Sequence, residues 1–373
     1  MRRRLDYLCF QPTREGQASY AHVHEIIAGL RRRGWEVSLV EPAHPRPGRL
    51  DGFRRAIAQL TMQIRYWVRR RGRPAPFIYI RGGFLTLPTA AIARLAGASV
   101  VQEINGPIED AYDAWPQLRP LHPLIRVSMS AQIRWASAII TVTPGLADYF
   151  AALTGRRTGY HVVGNGAAID FFSPAAADPD PGDPYVAFIG ALASWQGIDV
   201  AIRATASASW PAGVKLVVAG DGIQAGAVEA AARESHRVRW LGTIAYREAP
   251  AFVAGSIAAL VPMTNQPRSA HGLSPLKLFE AMASGVAVIA SDLPGLTEVV
   301  SEHRCGLTFP AGDSEALARA VGELAGDPPG ASGMGARGRD AAVHHYSWDR
   351  RAQQTERVLL GIAAGTESTT AAD

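Results

Sequence analysis

Short apolar runs of strand type alternate with longer amphipathic stretches in the first half of the chain. Helical spacing marks YAHVHEIIAGLRRRG, in which Gly34 stands at the expected C-terminal stop of a helix. Because strands that alternate with helices form parallel sheets, this half predicts an α/β domain. The strand-type runs are LDYLCF, WEVSLVEP, PFIYIR, ASVVQEI and ASAIITVTP.

The same alternation restarts after SPAAADPDPGDP, residues 173–184. A stretch of Pro, Ala and Asp is typical of an exposed linker between domains. We expect one Rossmann-like parallel-sheet domain over 1–172 and a second over 173–345, facing each other across a cleft. The last segment, 346–373, is expected to form a helix that packs back on the first domain, followed by a tail. The second-half runs are YVAFIG, VKLVVAG, VRWLG, IAALVP and VAVIAS.

The composition is that of a globular protein, since 47% of the 373 residues are apolar and can form two cores of ordinary size. Cys9 and Cys305 are far apart in sequence, which disfavours a disulfide framework and favours a reducing compartment. The basic start MRRRLDYLCF is interrupted by Asp6, and no later apolar run reaches the length that spans a bilayer. We expect a cytoplasmic protein that is neither secreted nor transmembrane.

The net charge of +5 conceals an uneven distribution. Residues 1–170 hold 23 arginines against 12 acidic residues, which leaves 15 basic and 21 acidic residues in the rest of the chain. A basic first half indicates an anionic partner, such as lipid headgroups, a phosphorylated substrate or nucleic acid. The alternative explanation is an arginine-rich genome, because Lys215 and Lys277 are the only lysines.

Ligands bind parallel sheets beyond the carboxyl ends of the strands, so the loops that follow strands are the places to search. Gly16, in QPTREGQASY, stands just before a helix, where a backbone can approach a sugar or phosphate, or simply turn. In GALASWQG, Gly190 and Gly197 allow a tight fold at the end of a strand. Between them, Ser194 and Gln196 offer neutral polar groups to a ligand.

Two polar residues, Glu103 and Asn105, end a first-half strand in VQEINGPIED. Residues two apart on a strand share one face, so both side chains face the cleft if the domains oppose each other. Catalysis is one interpretation, with Asn105 as the candidate. A hydrogen-bonded pair at the rim of the sheet is the equally weighted alternative.

The stretch SPLKLFEAMASG has the pattern of a helix start, with Ser274 as N-cap and Pro275 as the first helical residue. The free N–H groups and the dipole of such a start favour a phosphate, and Lys277 in the first turn requires an anion there. Glu280, one turn further on, is suited to accept the vicinal hydroxyls of a ribose. The alternative is that Lys277 and Glu280, at i and i+3, pair with each other.

This stretch resembles the donor-binding motif of glycosyltransferase family four, retaining enzymes of the GT-B fold, in a subgroup with an SPLKLFE-type motif. Glu280 then binds the donor ribose, and the amides around Ser274, Pro275 and Leu276 hold the sugar and diphosphate. The resemblance also implies that Gly16 approaches the diphosphate from the other domain. Nearly the whole chain is similar to the family, through EGQASYAHVHEIIAGLRRRGWEVSLV, ITVTPGLADYF, VVGNGAAIDFFSP, FIGALASWQGIDVAIRA, LVVAGDG, LPGLTEVV and YSWDRRAQQTERVLL.

The implied activity is the transfer of a sugar from a nucleotide-diphosphate sugar to a glycan, a lipid-linked or a small-molecule acceptor. The chain departs from the family at Gly272, eight residues before Glu280, where the family commonly has an acidic residue that contacts the donor sugar. Asn105 stands where many members have a histidine. The nature of the donor is therefore left open.

A third departure is the loss of a basic pair after the first strand of the second domain, where this chain has Ala191 and Gln196. Arg268 and Lys277 are expected to supply the missing charge. The resemblance implies catalysis by amides and basic side chains without a bound metal. No His or Cys cluster has metal-binding spacing, and the only D-x-D string, Asp178 to Asp180, lies in the linker. We expect no cofactor, the nucleotide sugar being a substrate.

Acceptor recognition is assigned to the basic first domain. Residues 53–73 carry seven arginines and no acid, and as a helix they place an apolar stripe apart from most of the arginines. Such a helix either docks peripherally on the cytoplasmic face of an anionic membrane or packs its stripe on the sheet, the second interpretation being slightly favoured. The stripe consists of Phe53, Ile57, Leu60, Ile64, Trp67 and Val68.

Competing functions are a nucleotide-sugar-binding protein without transferase activity and a basic nucleic-acid-binding protein. No nucleic-acid-binding module or ribonucleoprotein pattern is present in the sequence, so we expect no nucleic acid partner. A nicotinamide oxidoreductase is disfavoured because neither domain opens with G-x-G-x-x-G after its first strand.

Overall fold

The computed structural model describes residues 3–42, 51–176 and 182–365. Its contacts divide the chain into two compact units. Residues 1–164 and 351–373 form the first unit, and residues 165–350 form the second. Each unit contains one six-stranded parallel sheet with helices packed against it, which is the predicted α/β architecture.

In the first sheet the strand order is β2-β1-β3-β4-β5-β6, and every pairing is parallel. The five predicted strands are all present. The sixth, β6, is only three residues long and is partly exposed, so it has no apolar run that could predict it. The strands are β1 (Arg4–Cys9), β2 (Glu36–Val40), β3 (Phe77–Arg81), β4 (Ser99–Ile104), β5 (Ala138–Thr141) and β6 (Tyr160–Val162).

The second sheet has the order β12-β11-β10-β7-β8-β9, again parallel throughout. The predicted strands are present here too, and β12 at the edge is the one that the sequence did not reveal. The strands are β7 (Tyr185–Ile189), β8 (Lys215–Ala219), β9 (Val238–Trp240), β10 (Ala258–Val261), β11 (Ala287–Ser291) and β12 (Gly306–Phe309).

Helices connect the strands and cover both faces of each sheet. In the first unit they are α1 (Ala18–Arg32), α2 (Asp51–Arg70), α3 (Leu87–Leu95), α4 (Asp110–Ala114), α5 (His122–Trp135) and α6 (Pro144–Thr154). In the second they are α7 (Ile198–Thr205), α8 (Ala225–Glu234), α9 (Ala249–Ala254), α10 (Leu276–Ala283), α11 (Thr297–His303), α12 (Ser314–Gly326) and α13 (Pro328–His345). The last helix is α14 (Trp348–Ala364).

The register of the first sheet decides which helices share a face. Ile80 pairs with Gln102, and Gln102 pairs with Ile139, so these side chains point to the same side. Met62 of α2 and Ala93 of α3 pack in the cluster that contains Ile80. Ile125 and Ile133 of α5 pack with Ile139. Therefore α2, α3 and α5 cover one face of the sheet.

The chain enters the second unit at Asn165, upstream of the proline-rich stretch on which the sequence-based boundary rested. The Asn165 N–H donates to Ser274 Oγ at 3.1 Å, which ties this residue to the second unit. Beyond Arg350 the chain belongs to the first unit, where the Glu356 carboxylate accepts from Arg3 and from the Trp35 indole, both at 3.0 Å. Among the described residues no helix is both long and apolar enough to cross a membrane.

Candidate functional site

The strongest sequence motif lies where β10 leads into α10, beyond the carboxyl end of a central strand. The structure corrects the predicted start of α10 by one residue: the helix begins at Leu276, and Pro275 is the N-cap in an extended conformation. Ser274 makes no side-chain cap, because its hydroxyl accepts the N–H of Asn165 instead. The helix start therefore has no side chain of its own over the first amides.

Lys277, in the first turn of α10, points its ammonium group into the protein. Its Nζ is buried and has no hydrogen-bond partner. The same atom lies 4.2 Å from the centre of the Phe188 ring, and a Cβ placed on Gly190 would be 3.6 Å from it. A buried ammonium without a hydrogen bond is costly, so this position lacks the acceptor or counter-charge that such a group requires.

Glu280 is half-buried one turn further along α10. The alternative that it pairs with Lys277 is wrong, because no ion pair within 4.0 Å joins them among the described residues. Burial lowers the pKa of Lys277 to about 7, against the opposing effect of Glu280. Burial likewise raises the pKa of Glu280 to about 7, which Lys277 offsets only in part. The pKa values of both groups thus lie near neutral pH.

The loop after β7 runs past the Lys277 ammonium. Gly190 has φ +134° and Gly197 has φ +69°, backbone conformations that favour glycine. A Cβ on Gly197 would lie 1.6 Å from the Pro262 carbonyl oxygen, so the close approach of the loop to the end of β10 requires glycine there. The predicted ligand residues differ in exposure, since Ser194 is exposed while Gln196 Oε1 is buried and unpaired.

Gln224 is a residue that sequence reasoning missed. It stands at the N-cap of α8, in the loop after β8, and its Oε1 is also buried without a partner. Its N–H donates to the Leu192 carbonyl at 3.0 Å, which joins this loop to the loop after β7. The signal was its place just after Gly220, Asp221 and Gly222, which follow the strand β8.

Arg268 lies in the short 3-10 helix Pro267–His271 between β10 and α10, and its side chain is half-buried. Gly272, which replaces the family's acidic residue, caps that helix with φ +81°. Arg268 therefore lies on the connection between β10 and α10, and Lys277 lies in the first turn of the helix that follows it. Because residue 272 is a glycine, no acidic side chain is present between them at that position.

Two residues hold α10 in place, and the sequence did not single them out for this. Asn165 donates from its backbone and from its side-chain amide to Ser274 just before the helix. At the other end Arg339 Nη1 donates to the Ala283 carbonyl at 2.8 Å. Through these contacts both ends of the Lys277 helix are fixed.

In the first unit, Gly16 has φ +82°, and open space surrounds the position of its missing Cβ. It lies in the loop between β1 and α1. The Thr13 hydroxyl in the same loop donates to Glu41 at 2.9 Å and lies 3.3 Å from His24 Nε2. The loop is thus anchored beside the end of β2, and the predicted contact of Gly16 with a diphosphate stays a prediction.

Glu103, at the end of β4, is the centre of a buried cluster on the face opposite α2. The Asn105 amide donates to Oε1 at 2.8 Å, and His22 Nε2 lies 3.0 Å from the same oxygen. Arg81 Nε lies 3.2 Å from Oε1, and the Tyr7 hydroxyl donates to Oε2 at 2.9 Å. Burial alone would raise the pKa of Glu103, but His22 and Arg81 hold it well below its usual range.

The predicted hydrogen bond between Glu103 and Asn105 is therefore present, but Glu103 is fully buried rather than at a rim. Asn105 is half-buried, and its proposed catalytic role stays a prediction. The partners His22, Arg81 and Tyr7 were not predicted, because they come from three separate elements and no spacing in the sequence connects them.

Metal-ligand residues are scattered in the part of the chain that the structure describes: nowhere do three His, Cys, Asp or Glu side chains group as a metal site requires. The D-x-D string, Asp178 to Asp180, lies outside the described residues.

Comparison with protein families gives two matches, one for each half of the chain. The model described as "Glycosyl transferase 4-like domain" matches residues 18–166. The model described as "Glycosyl transferases group 1" matches residues 183–327. The second match contains β7, α10 and the whole Lys277 region.

Individual proteins agree with these models. The chain is 31% identical to alpha-maltose-1-phosphate synthase of Mycolicibacterium smegmatis over 261 residues, 61% of this chain and 64% of that protein, so the match spans less than two thirds of the relative. Sucrose-phosphate synthase of Thermosynechococcus elongatus superposes with a TM-score of 0.78 at 18% identity, covering 98% of this chain and 100% of that one. HepE of Anabaena in complex with UDP-glucose gives 0.69 at 18% identity, covering 96% and 99%. The fold is GT-B.

Proposed function

Because the chain belongs to the GT-B glycosyltransferases of family four, we propose that it is a retaining transferase that uses a nucleotide-diphosphate sugar. The sugar passes to a hydroxyl of a glycan, a lipid-linked or a small-molecule acceptor. The single observation that carries this proposal is the buried, unpaired ammonium of Lys277 at the start of α10. The donor motif is of the SPLKLFE type.

Lys277 supports the proposal because its position fits the diphosphate of the donor. A phosphate placed before the first turn of α10 meets the free N–H groups of the helix start, around Ser274 to Leu276, and the positive end of its dipole. It also lies within reach of a charge that has no other partner. Arg268, on the same connection, adds a second positive charge. Together Arg268 and Lys277 supply the positive charge of the family's basic pair, whose positions are occupied by Ala191 and Gln196 in this chain.

The rest of the donor is assigned to the neighbouring loops. Glu280 accepts the ribose hydroxyls, since a half-buried carboxylate without an ion-pair partner on this helix is suited to two hydroxyl donors. Gly190 has no side chain, so its backbone lies close to the Lys277 ammonium, and the diphosphate is proposed to bind beside both. Ser194 and Gln196 offer polar groups to the sugar. Gly16 contributes the backbone approach from the first unit.

Transfer breaks the bond between the anomeric carbon and the diphosphate oxygen, and the acceptor oxygen bonds to that carbon while its hydroxyl proton passes to the leaving phosphate. Negative charge builds up on the leaving phosphate, so fixed positive groups that face it stabilise the transition state more than the ground state. Lys277 and Arg268 have this role in the proposal, and Asn105 positions the sugar or the acceptor. We propose that these groups suffice without a metal or another cofactor, and that turnover persists in a chelator.

The acceptor is assigned to the basic first unit, and contact with an anionic membrane is argued separately below. The proposed location is the cytoplasm, and the proposed membrane contact is with the cytoplasmic face of the membrane. Nucleic acid is not among the proposed partners. A nucleotide-sugar-binding protein without transferase activity is the competing function. It shares the donor site and differs only in the absence of turnover.

The test is a screen of nucleotide-diphosphate sugars for thermal stabilisation, followed by calorimetry on the best ligand. Glu280→Gln is expected to weaken that ligand by about 1 to 3 kcal/mol, the usual loss for a charge-assisted hydrogen bond, with the fold intact. Glu234→Gln, an exposed carboxylate on α8, is the matched control and is expected to bind as the unchanged protein does.

Equal affinity of the Glu280→Gln and unchanged proteins would contradict the assignment of the ribose. Tight binding with no sugar released or transferred to any acceptor offered would favour the binding protein. Transfer that requires added magnesium or manganese would contradict the metal-free mechanism.

A further inference from the structure

The side of α2, α3 and α5 that faces away from the first sheet exposes large apolar side chains. We call this surface the apolar face. Val68 of α2 is 70% exposed, Leu95 of α3 is 89% exposed, and Leu124 of α5 is 68% exposed. The three helices cover the same side of the sheet, so their exposed residues face solvent on that side. Its members include Leu60, Ile64, Val68, Leu95, Leu124 and Val127.

The apolar face is not the packing side of α2, which corrects the favoured sequence interpretation. Met62 and Tyr66 are buried against the sheet, and the Gln63 amide donates to the Leu85 carbonyl at 3.2 Å. Trp67 alone of the described stripe turns inward, where its indole donates to Thr89. Ile57, Leu60, Ile64 and Val68 follow helical spacing on the solvent side. The helix is thus apolar on two sides, and one of them is uncovered.

The second unit provides an internal comparison. It has the same architecture and a sheet of the same size, yet its exposed large apolar side chains among the described residues are Trp195 and Ile223, which lie in separate loops. Single exposed apolar residues are ordinary on soluble proteins, whereas a broad patch on adjoining helices marks an interaction surface.

The charge around the apolar face indicates what covers it. Residues 52–102 and 114–147 contain no Asp or Glu, so α3 and α5 carry no acidic residue and α2 carries one only at its first position. Arg65 and Arg69 are exposed beside the stripe of α2, on the side toward the sheet edge. Arg70 is not available, because it pairs with the buried Asp6. Helices that expose apolar side chains and arginines, and that carry no acidic residue after Asp51, complement an anionic lipid surface and repel a second copy of themselves.

A cavity of about 730 Å³ adjoins this arginine row between β2 and α2. Arg65 and Arg69 line it together with the apolar Leu39, Val40 and Met62 and with Glu41, whose carboxylate accepts from the Thr13 hydroxyl. It is large enough for a phosphate-bearing headgroup beside the apolar stripe.

We propose that the apolar face docks on a bilayer that contains anionic phospholipid, with Leu60, Ile64, Val68, Leu124 and Val127 entering the interfacial layer and Arg65 and Arg69 contacting lipid phosphates. Apolar burial supplies affinity, and the arginines make it depend on lipid charge and salt. This surface is independent of donor binding, since Lys277 and Glu280 belong to the other unit.

The experiment is sedimentation of the whole chain with vesicles of phosphatidylcholine alone or mixed with phosphatidylglycerol. The unchanged protein is expected to sediment with the anionic vesicles, poorly with the neutral ones, and less as salt is raised. Arg65→Gln with Arg69→Gln should weaken binding about twenty-five-fold, at about fivefold for each arginine. Ile64→Ser with Val68→Ser and Leu124→Ser should weaken it at least as much.

The matched controls are Ile223→Ser, an equally exposed apolar residue of the second unit, and Arg247→Gln, an exposed arginine there. Both should bind vesicles as the unchanged protein does, and all variants should keep the same melting temperature and nucleotide affinity. Equal sedimentation of the arginine or serine variants would overturn the proposal, as would equal binding to neutral vesicles. Dimerisation in the absence of lipid that the serine variant abolishes would also overturn it and assign the face to a second copy.

Discussion

Each unit buries a charged group near the carboxyl end of its sheet, Glu103 within the last residues of β4 and the Lys277 ammonium in the first turn of α10, and the two differ in how that charge is satisfied. Glu103 in the first unit has contacts on both carboxylate oxygens, from Asn105, His22 and Arg81 on one and from Tyr7 on the other. Lys277 in the second unit has no hydrogen bond at all.

The difference separates a charge that its neighbours satisfy from one that they leave without a partner. A buried charge with a full set of partners fixes the groups around it, and removing it leaves those groups buried without a partner. A buried charge without partners costs stability in the free protein, and a ligand of opposite charge would offset that cost. Lys277 fits the second description because its ammonium has no hydrogen-bond partner and lies beside Gly190, which has no side chain.

The largest effect is expected from Glu103→Ala. The substitution leaves Arg81, His22 and Tyr7 buried without their common partner, so the free energy of unfolding should fall by about 3 to 5 kcal/mol. Urea unfolding measures the loss. Glu36→Ala is the control, because the Glu36 side chain is 70% exposed and its pair with Arg4 is weak. A loss below about 1 kcal/mol would mean that the cluster is not structural.

Lys277→Met is expected to act in the opposite way. It keeps the apolar stem beside Phe188 and removes a charge that the free protein cannot satisfy, so stability should stay equal or rise. Affinity for a nucleoside diphosphate should fall by about 2 to 3 kcal/mol, the loss of a charged contact. Calorimetry on Lys277→Met and on the control Lys215→Met, whose partner is the exposed Asp183, measures both. Unchanged affinity in Lys277→Met would remove the diphosphate from this position.

The contrast between Lys277 and Glu103 also shows which parts of the molecule could be predicted from the sequence. Lys277 and Glu280 were found because both stand in one short motif whose helix start, apolar spacing and charges can be seen together. The Glu103 cluster draws on β1, α1, β3 and β4, so its members meet only after the sheet has formed. Ten strands were predicted by their apolar runs, including the edge strands β2 and β9. The other two edge strands, β6 and β12, have only one fully buried residue between them, so they have no apolar run in the sequence.

The error on α2 has a similar cause. The apolar stripe of the helix was assumed to face the core, but of its described members only Trp67 turns inward, and Met62, Gln63 and Tyr66 face the core instead. Gln63 satisfies its amide through Leu85 and Thr89, contacts that no periodicity reveals. A stripe in the sequence predicts that a surface will be covered, but it does not say by what.

The pH dependence of donor binding tests whether Lys277 and Glu280 of the second unit contact the ligand. The pKa of Lys277 is about 7 in the free protein, so its charged form declines as pH rises above 7, and affinity should fall up to about tenfold per pH unit. The pKa of Glu280 is also about 7, so its charged form declines below that value, and affinity should fall again on the acidic side. Calorimetry between about pH 6 and pH 9 should give a maximum near neutrality.

Each limb of this profile belongs to one residue. Lys277→Met should remove the alkaline decline, and Glu280→Gln should remove the acidic one. Binding of the unchanged protein at pH 8 should also take up protons, seen as a heat that varies with the ionisation enthalpy of the buffer. A flat profile in the unchanged protein would show that neither group meets the ligand.

Within the Glu103 cluster, the smallest loss of stability is expected at its half-buried edge. Asn105→Ala removes one donor from Oε1, but His22, Arg81 and Tyr7 remain, so unfolding should change by about 1 kcal/mol or less. If Asn105 contacts the sugar or the acceptor, sugar transfer should nevertheless fall severalfold while nucleoside diphosphate affinity at Lys277 stays the same. Unfolding in urea, calorimetry and transfer rates on one protein sample distinguish the cases. A transfer rate equal to that of the unchanged protein would leave Asn105 as a partner of Glu103 and nothing more.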